Sequence, residues 1–81
     1  MPRYFFNTFD SESRSHVDDV GEELPNREAA WEAATRYAAD VLRDLDGALR
    51  HGHDWRLEVL KEDRSRVFQI TVHGDDLEQR R

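Results

Sequence analysis

Between residues 27 and 50, apolar side chains recur at helical spacing. At 100° per residue, Ala30, Ala34, Tyr37, Ala38, Val41, Leu45, Ala48 and Leu49 fall on one face, with Trp31 and Leu42 at its flank. Glu28, Glu32, Arg36, Asp40, Arg43, Asp46 and Arg50 take the opposite arc. This is an amphipathic helix with one buried stripe. Asn26 is placed to cap it by accepting a bond from a free first-turn amide, and Glu28 suits the positive end of the helix dipole. The pairs Glu32–Arg36 and Asp46–Arg50 contribute about 0.3 kcal/mol each when exposed. Gly47 costs up to about 1 kcal/mol in a helix interior. The helix is nonetheless expected to continue to Arg50 and close on Gly52, with an early stop at Asp46 as the alternative.

On either side of this segment the period changes to two. Residues 3–9 place Tyr4, Phe6 and Thr8 on one face and Phe5, Asn7 and Phe9 on the other. Both faces carry aromatics; Tyr4 and Phe6 are assigned to the helix side, with the reverse left open. Residues 10–15 form a polar turn, residues 16–18 a short returning strand, and Gly21 a tight turn. Residues 55–60 and 66–72 alternate again around a charged turn, with Trp55, Leu57, Val59, Phe68, Ile70 and Val72 inward, as in a β-hairpin. From Gly74 onward no core pattern remains. The expected fold is α+β, a two-layer sandwich of one long helix on a three- or four-stranded, mainly antiparallel sheet. Residues 1–73 make the single domain and residues 74–81 a frayed tail.

A helix covers only one face of such a sheet. Phe5, Phe9, Leu60 and Val67 are expected on the other, as an apolar interaction surface. A chain of 81 residues has a thin core, so it gains from covering that surface. The simplest cover is a second copy, giving a homodimer through this face or through a strand edge. Another protein partner is the alternative.

Composition narrows the remaining choices. Twelve basic against 18 acidic residues give a net charge of −6, which opposes docking on a polyphosphate. Phe5 and Phe9 with Arg3, Arg56 and Arg66 near them are what a single-strand binder would use, but with this balance nucleic acid is not the expected partner. There is no cysteine, which removes disulfides and thiolate metal sites and fits a cytoplasmic setting. No apolar run approaches the ~20 residues of a membrane span, and the apolar run at the start is too short for a signal peptide.

Candidate chemistry is sparse. His51-Gly52-His53-Asp54 is the one histidine cluster, and a zinc site needs three or four converging ligands. A loop at a helix end is the plainer reading, so neither metal nor cofactor is expected. Asp18, Asp19, Glu22 and Glu23 form an acidic patch whose spacing does not match a calcium loop, and a solvated loop is again the plainer reading. The glycines are too scattered for a phosphate loop, and no serine has an oriented base. No catalytic residue is assigned, and enzyme activity is not expected.

Three motifs in order carry a family resemblance: the opening MPRYFF, the segment Asp18-x-x-Gly21-x-x-Leu24-Pro25 before an Ala-rich helix, and Trp55-Arg56-Leu57-Glu58-Val59. Over roughly residues 1–72 the chain resembles a family of short bacterial proteins that carry a domain of unknown function and begin MPRYFF or MPRYYF. The resemblance implies this fold and a bacterial cytosolic setting, and it implies no catalytic residue. Phe9 departs from it, standing where a polar residue is expected. A second likeness is to small antitoxin domains of the HicB type, which place an Asp- and Gly-containing strand end ahead of an Ala-rich helix. Those usually carry a separate DNA-binding element, for which residues 73–81 have no pattern.

Overall fold

The computed structural model describes residues 1–10, 15–50 and 52–78; His51 and the last three residues of the expected tail lie outside that set. In chain order the elements are β1 (Arg3–Asp10), β2 (Ser15–His16), β3 (Glu22–Glu23), α1 (Arg27–Leu45), β4 (Asp54–Leu60) and β5 (Arg66–His73). The helix packs on a five-stranded sheet of order β2-β1-β4-β5, with β3 also paired to β1. Every strand pair is antiparallel. The α+β sandwich is therefore present, with one strand more than expected. The extra strand arises because the segment from Ser15 to Glu23 returns along β1 in two pieces.

The helix starts where its cap predicts: Asn26 Oδ1 accepts from Ala29 N–H at 2.8 Å. It ends earlier than expected. Asp46 adopts φ 49° and Gly47 φ 86°, and the Asp46 N–H turns back to the Arg43 carbonyl at 3.2 Å. Two successive left-handed residues reverse the chain, and Gly47 takes that conformation without a Cβ penalty. The helix thus stops at Leu45 instead of reaching Arg50, and Asp46–Arg50 cannot act as a helical pair. Glu32–Arg36 does form, at 3.7 Å, on an exposed surface where it contributes a few tenths of a kcal/mol, within the ~0–1 range of such pairs.

The core follows from the strand register, which stacks Phe6, Val59 and Phe68 in one row and Thr8, Leu57 and Ile70 in the next. Leu57, Val59, Ala30 and Ala34 are completely shielded, and Tyr4 and Phe6 face the helix with them. Alanine at the contact lets the helix sit close to the sheet. Tyr37 packs near Phe6 and Trp55, over the β1 and β4 side, while Trp31 packs on Phe68, over β5. Burying side chains the size of Leu57 or Val59 contributes about 1.5–3 kcal/mol each. Val41, Leu45, Phe68 and Ile70, expected among the buried residues, are only half-buried, because the helix leaves the outer part of the sheet partly open.

One facing assignment changes. Val67 packs against the core cluster instead of joining the opposite face. The register explains it: Val59 pairs with Phe68 but Leu60 pairs with Arg66, so a bulge leaves Val67 as an extra residue. A bulge breaks the strict alternation on which the facing of a side chain is read.

Candidate interaction surface

Phe5, Phe9 and Leu60 lie on the sheet face away from the helix, as their alternation with Tyr4, Phe6 and Val59 requires. They do not make an open apolar patch. Phe5 is only 9% exposed. The Arg64 guanidinium lies 5.0 Å from its ring centre, and a Cβ on Gly21 would stand 2.9 Å from its Cε2. Phe9 is half-buried beneath Arg56, 4.8 Å from its ring centre. Between the two rings sits Glu58, itself buried, whose Oε2 accepts from Arg66 Nη1 at 3.2 Å and lies 3.8 Å from Arg56 Nε. The helix-free face is thus closed by its own arginines, each sharing its charge with a ring or with Glu58. Arg3, also expected near this face, is turned to the Val20 carbonyl at 2.9 Å and to Glu23 at 3.5 Å.

The acidic patch separates into one structural residue and three exposed ones. Asp19, Glu22 and Glu23 are exposed. Asp18 is not: its Oδ2 accepts from Phe6 N–H at 3.1 Å, and its Oδ1 from Val20 N–H at 3.0 Å and Gly21 N–H at 2.9 Å. In return the Asp18 N–H donates to Asn7 Oδ1 at 2.9 Å. Partial burial raises the Asp18 pKa, but the amides of Gly21, Phe6 and Val20, with the charge of His16, outweigh it and hold the carboxyl below its ordinary value. This explains the spacing Asp18-x-x-Gly21. Going from Thr8 back to Tyr4 on β1 corresponds to going from His16 forward to Glu22 on the partner, so two extra residues are looped out. The Asp18 carboxylate stands in for the missing backbone acceptor. Gly21, at φ 75°, brings the chain back within 2.9 Å of the Tyr4 carbonyl, measured from where a Cβ would be.

A cavity of about 280 Å³ beside this loop is lined by Phe6, His16, Asp18, Gly21, Glu22 and Tyr37 among others. Of its two acids, Asp18 is already committed to amides and Glu22 is exposed. His53 is half-buried in the loop after the helix. Among the described residues, no three His, Asp or Glu side chains converge as a metal site. His73 stands between two close acidic partners, Asp54 and Asp75, a pairing not apparent from the sequence. Asp54 and His73 are opposite each other in the hairpin register, a proximity that only the register discloses.

The other side of the molecule is different. β5 ends the sheet, and among the described residues no strand pairs with its outer edge. Its central residues, Val67 to Val72, carry no charge and no proline. Above it, Trp31 is 38% exposed and Leu42 45% exposed. Eleven residues apart, they lie on nearly the same helix flank, and the Trp31–Phe68 contact turns that flank toward β5. Trp31 and Leu42 stand out in the sequence as flank residues; their place beside an unpaired edge appears only once the strand order is known.

Among the described residues, no helix is long and apolar enough to cross a membrane. Neither the curated proteins nor the solved structures contain a match to the chain. A family model does match, over residues 3–73, nearly the whole folded unit and all three sequence motifs except the first two residues. The chain belongs to the family defined by the domain of unknown function DUF6894.

Proposed function

We propose that the chain is a small non-enzymatic cytoplasmic interaction module whose contact surface is the β5 edge with the Trp31 and Leu42 flank of the helix. One observation carries this: among the described residues, an eight-residue strand has no partner along one edge, and two large apolar side chains stay exposed beside it. An unpaired edge offers a row of backbone donors and acceptors to an incoming strand. Exposed tryptophan is the side chain most often found at the energetic centre of a protein contact. The helix-free face supports the reading less well, since Phe5 is covered and Val67 faces the core.

The test is a comparison of two variants in cross-linking from cells that make the native chain. Trp31→Glu should lose the cross-linked protein, and Phe9→Ser should keep it. The opposite pattern would move the contact to the helix-free face. A single small protein captured through Trp31 would favour the antitoxin-like alternative; retention of Phe9-dependent binding to RNA at about 150 mM salt would favour the nucleic-acid one.

A further inference from the structure

We propose that the partner on the β5 edge is a second copy of this chain, paired β5 to β5 about a two-fold axis at Ile70. The proposal rests on the reading of that surface given above and names its occupant. The edge is self-complementary in three respects. First, an antiparallel pairing centred on Ile70 sets Phe68 opposite the partner's Val72 on the helix side. It sets Gln69 opposite the partner's Thr71 on the other side, so apolar meets apolar and polar meets polar. Second, one end of the edge is basic and the other acidic. The Arg27 guanidinium lies over Phe68 near the start of the strand, 4.4 Å from its ring centre, whereas Asp75 and Asp76 follow the strand. The two-fold turns the Arg27 end of each strand toward the partner's Asp75 and the partner's Asp76, at both ends of the pairing; a parallel arrangement would bring like ends together.

Third, the helices fit. The helix packs over β4 and β5, with Trp31 on Phe68 and its far end beside Trp55, which pairs with Val72. It therefore runs along β5. Leu42 lies about 16 Å beyond Trp31 at 1.5 Å per residue, comparable to the ~13 Å from Phe68 to Val72 at 3.3 Å per residue. Under the two-fold, Trp31 of each copy meets Leu42 of the other. With strands about 4.8 Å apart, helices centred over β4 and β5 stand about 10–14 Å from each other across the axis. That gap is slightly wider than direct helix packing, and Trp31 and Leu42 from both copies fill it. The product is a continuous sheet in which both β5 edges are paired.

The experiment is sedimentation equilibrium of the full chain, with circular dichroism to confirm that each variant is folded. Wild type should be a dimer at tens of micromolar. Gln69→Lys/Thr71→Lys places lysine opposite lysine twice and should raise the dimer dissociation constant at least about tenfold. Gln69→Glu/Thr71→Lys places unlike charges opposite and should restore or tighten the dimer. Any other two-fold register on β5 sets a substituted position opposite itself or away from its counterpart, and would give no such recovery. Amide hydrogen exchange on β5 separates failure of the partner from failure of the surface. A wild-type monomer at 100 μM or more, whatever its exchange, overturns the second copy, and fast-exchanging β5 amides would then leave the edge available to another protein. A dimer indifferent to both double variants and to Trp31→Glu overturns the surface itself.

Discussion

The two edges of the sheet solve the same problem in opposite ways. On the β2–β3 side, the chain closes its own edge. It pairs with β1 in two short pieces, loops out two residues between them, and uses the Asp18 carboxylate to satisfy the Phe6 amide where the ladder is broken. Glu22 and Glu23 put charge along the outer rim. Short, bulged and charged edges resist pairing with other chains. On the β5 side none of these devices is present between Phe68 and Val72, and Trp31 and Leu42 add apolar surface above. A chain that protects one edge so thoroughly has the means to protect the other. On the reading proposed above, the difference makes β5 the edge kept for contact.

The largest expected effect comes from breaking the closed edge at Gly21. Alanine there would carry φ 75° and place its Cβ 2.9 Å from the Tyr4 carbonyl, Arg3 Cγ and Phe5 Cε2. Left-handed backbone costs about 1–2 kcal/mol and crowding about 1–3. Gly21→Ala should thus destabilise by about 3 kcal/mol in urea unfolding, a large share of the ~4–12 expected for this length. Gly47→Ala has positive φ but no neighbour within 4 Å, so it should cost only the backbone part. Equal losses at both glycines would show that the contacts of Gly21 with β1 contribute nothing.

Next is Asp18→Ala, which leaves the Phe6, Val20 and Gly21 amides without their acceptor. Hydrogen bonds to a charged acceptor are worth about 1.5–3 kcal/mol, and solvent reaches part of this site, so a loss of about 2 kcal/mol is expected. The sign of the pH effect follows from the lowered carboxyl pKa. The unfolded carboxyl titrates near 3.9, so the contribution is fully present above that value and is lost as pH falls through the lower folded one. The gap between wild type and Asp18→Ala should therefore close in acid, below about pH 4, and stay constant from pH 5 to 8. A gap unchanged at pH 2 would mean that the acceptor acts without its charge.

How much of this was legible beforehand differs between the same two regions. The helix and the β4–β5 hairpin are long and periodic, so their existence and, Val67 apart, their facing follow from apolar spacing, and the cap follows from Asn26 standing just ahead of the helical run. The early helix stop depends on Asp46 and Gly47 adopting left-handed conformations together, a choice that a single glycine in a periodic run does not decide. The β2–β3 edge is made of polar residues in pieces of two, too short for any period. Its signal lay in the spacing Asp18-x-x-Gly21, where an acceptor and a residue free to take positive φ stand within one turn. The covering of Phe5 and Phe9 escaped because Arg56 and Arg64 reach those rings from other strands and turns. Val67 escaped because a bulge resets the alternation.

On the open edge, the expected effect is smaller and depends on concentration. If β5 pairs with β5, the thermal midpoint rises with concentration, because only the folded chain dimerises. A tenfold increase should add about 4 °C for a chain of this size. Gln69→Lys/Thr71→Lys should remove that dependence while leaving the midpoint at low concentration within about 2 °C of wild type, as exposed substitutions usually do. A concentration-independent wild-type midpoint would make the β5 edge no different, in solution, from the closed one.

The smallest effect is at the far end of that open edge. His73 hydrogen-bonds to Asp54 at the start of β4 and to Asp75 just beyond β5, holding the hairpin's open end together. The bond to Asp54 first, and that to Asp75 second, raise its pKa above the ordinary value, against the opposing effect of desolvation. A raised folded pKa means that the protonated form is favoured in the native state. Its stabilisation is complete below the unfolded value near 6.5 and disappears as pH rises through the higher folded one. Because the site is exposed, solvent screens most of it and the change is slight. Thermal midpoints of wild type and His73→Gln should differ at pH 6 and converge by about pH 9, with the difference reduced at 1 M salt. If β5 pairs with β5 as proposed, the partner's Arg27, over its Phe68, is brought toward this end of the strand. A nearby positive charge disfavours the protonated imidazole, so the convergence should move to lower pH on dimerisation. A His73 titration identical in wild type and in Gln69→Lys/Thr71→Lys at high concentration would place that end of β5 outside the contact.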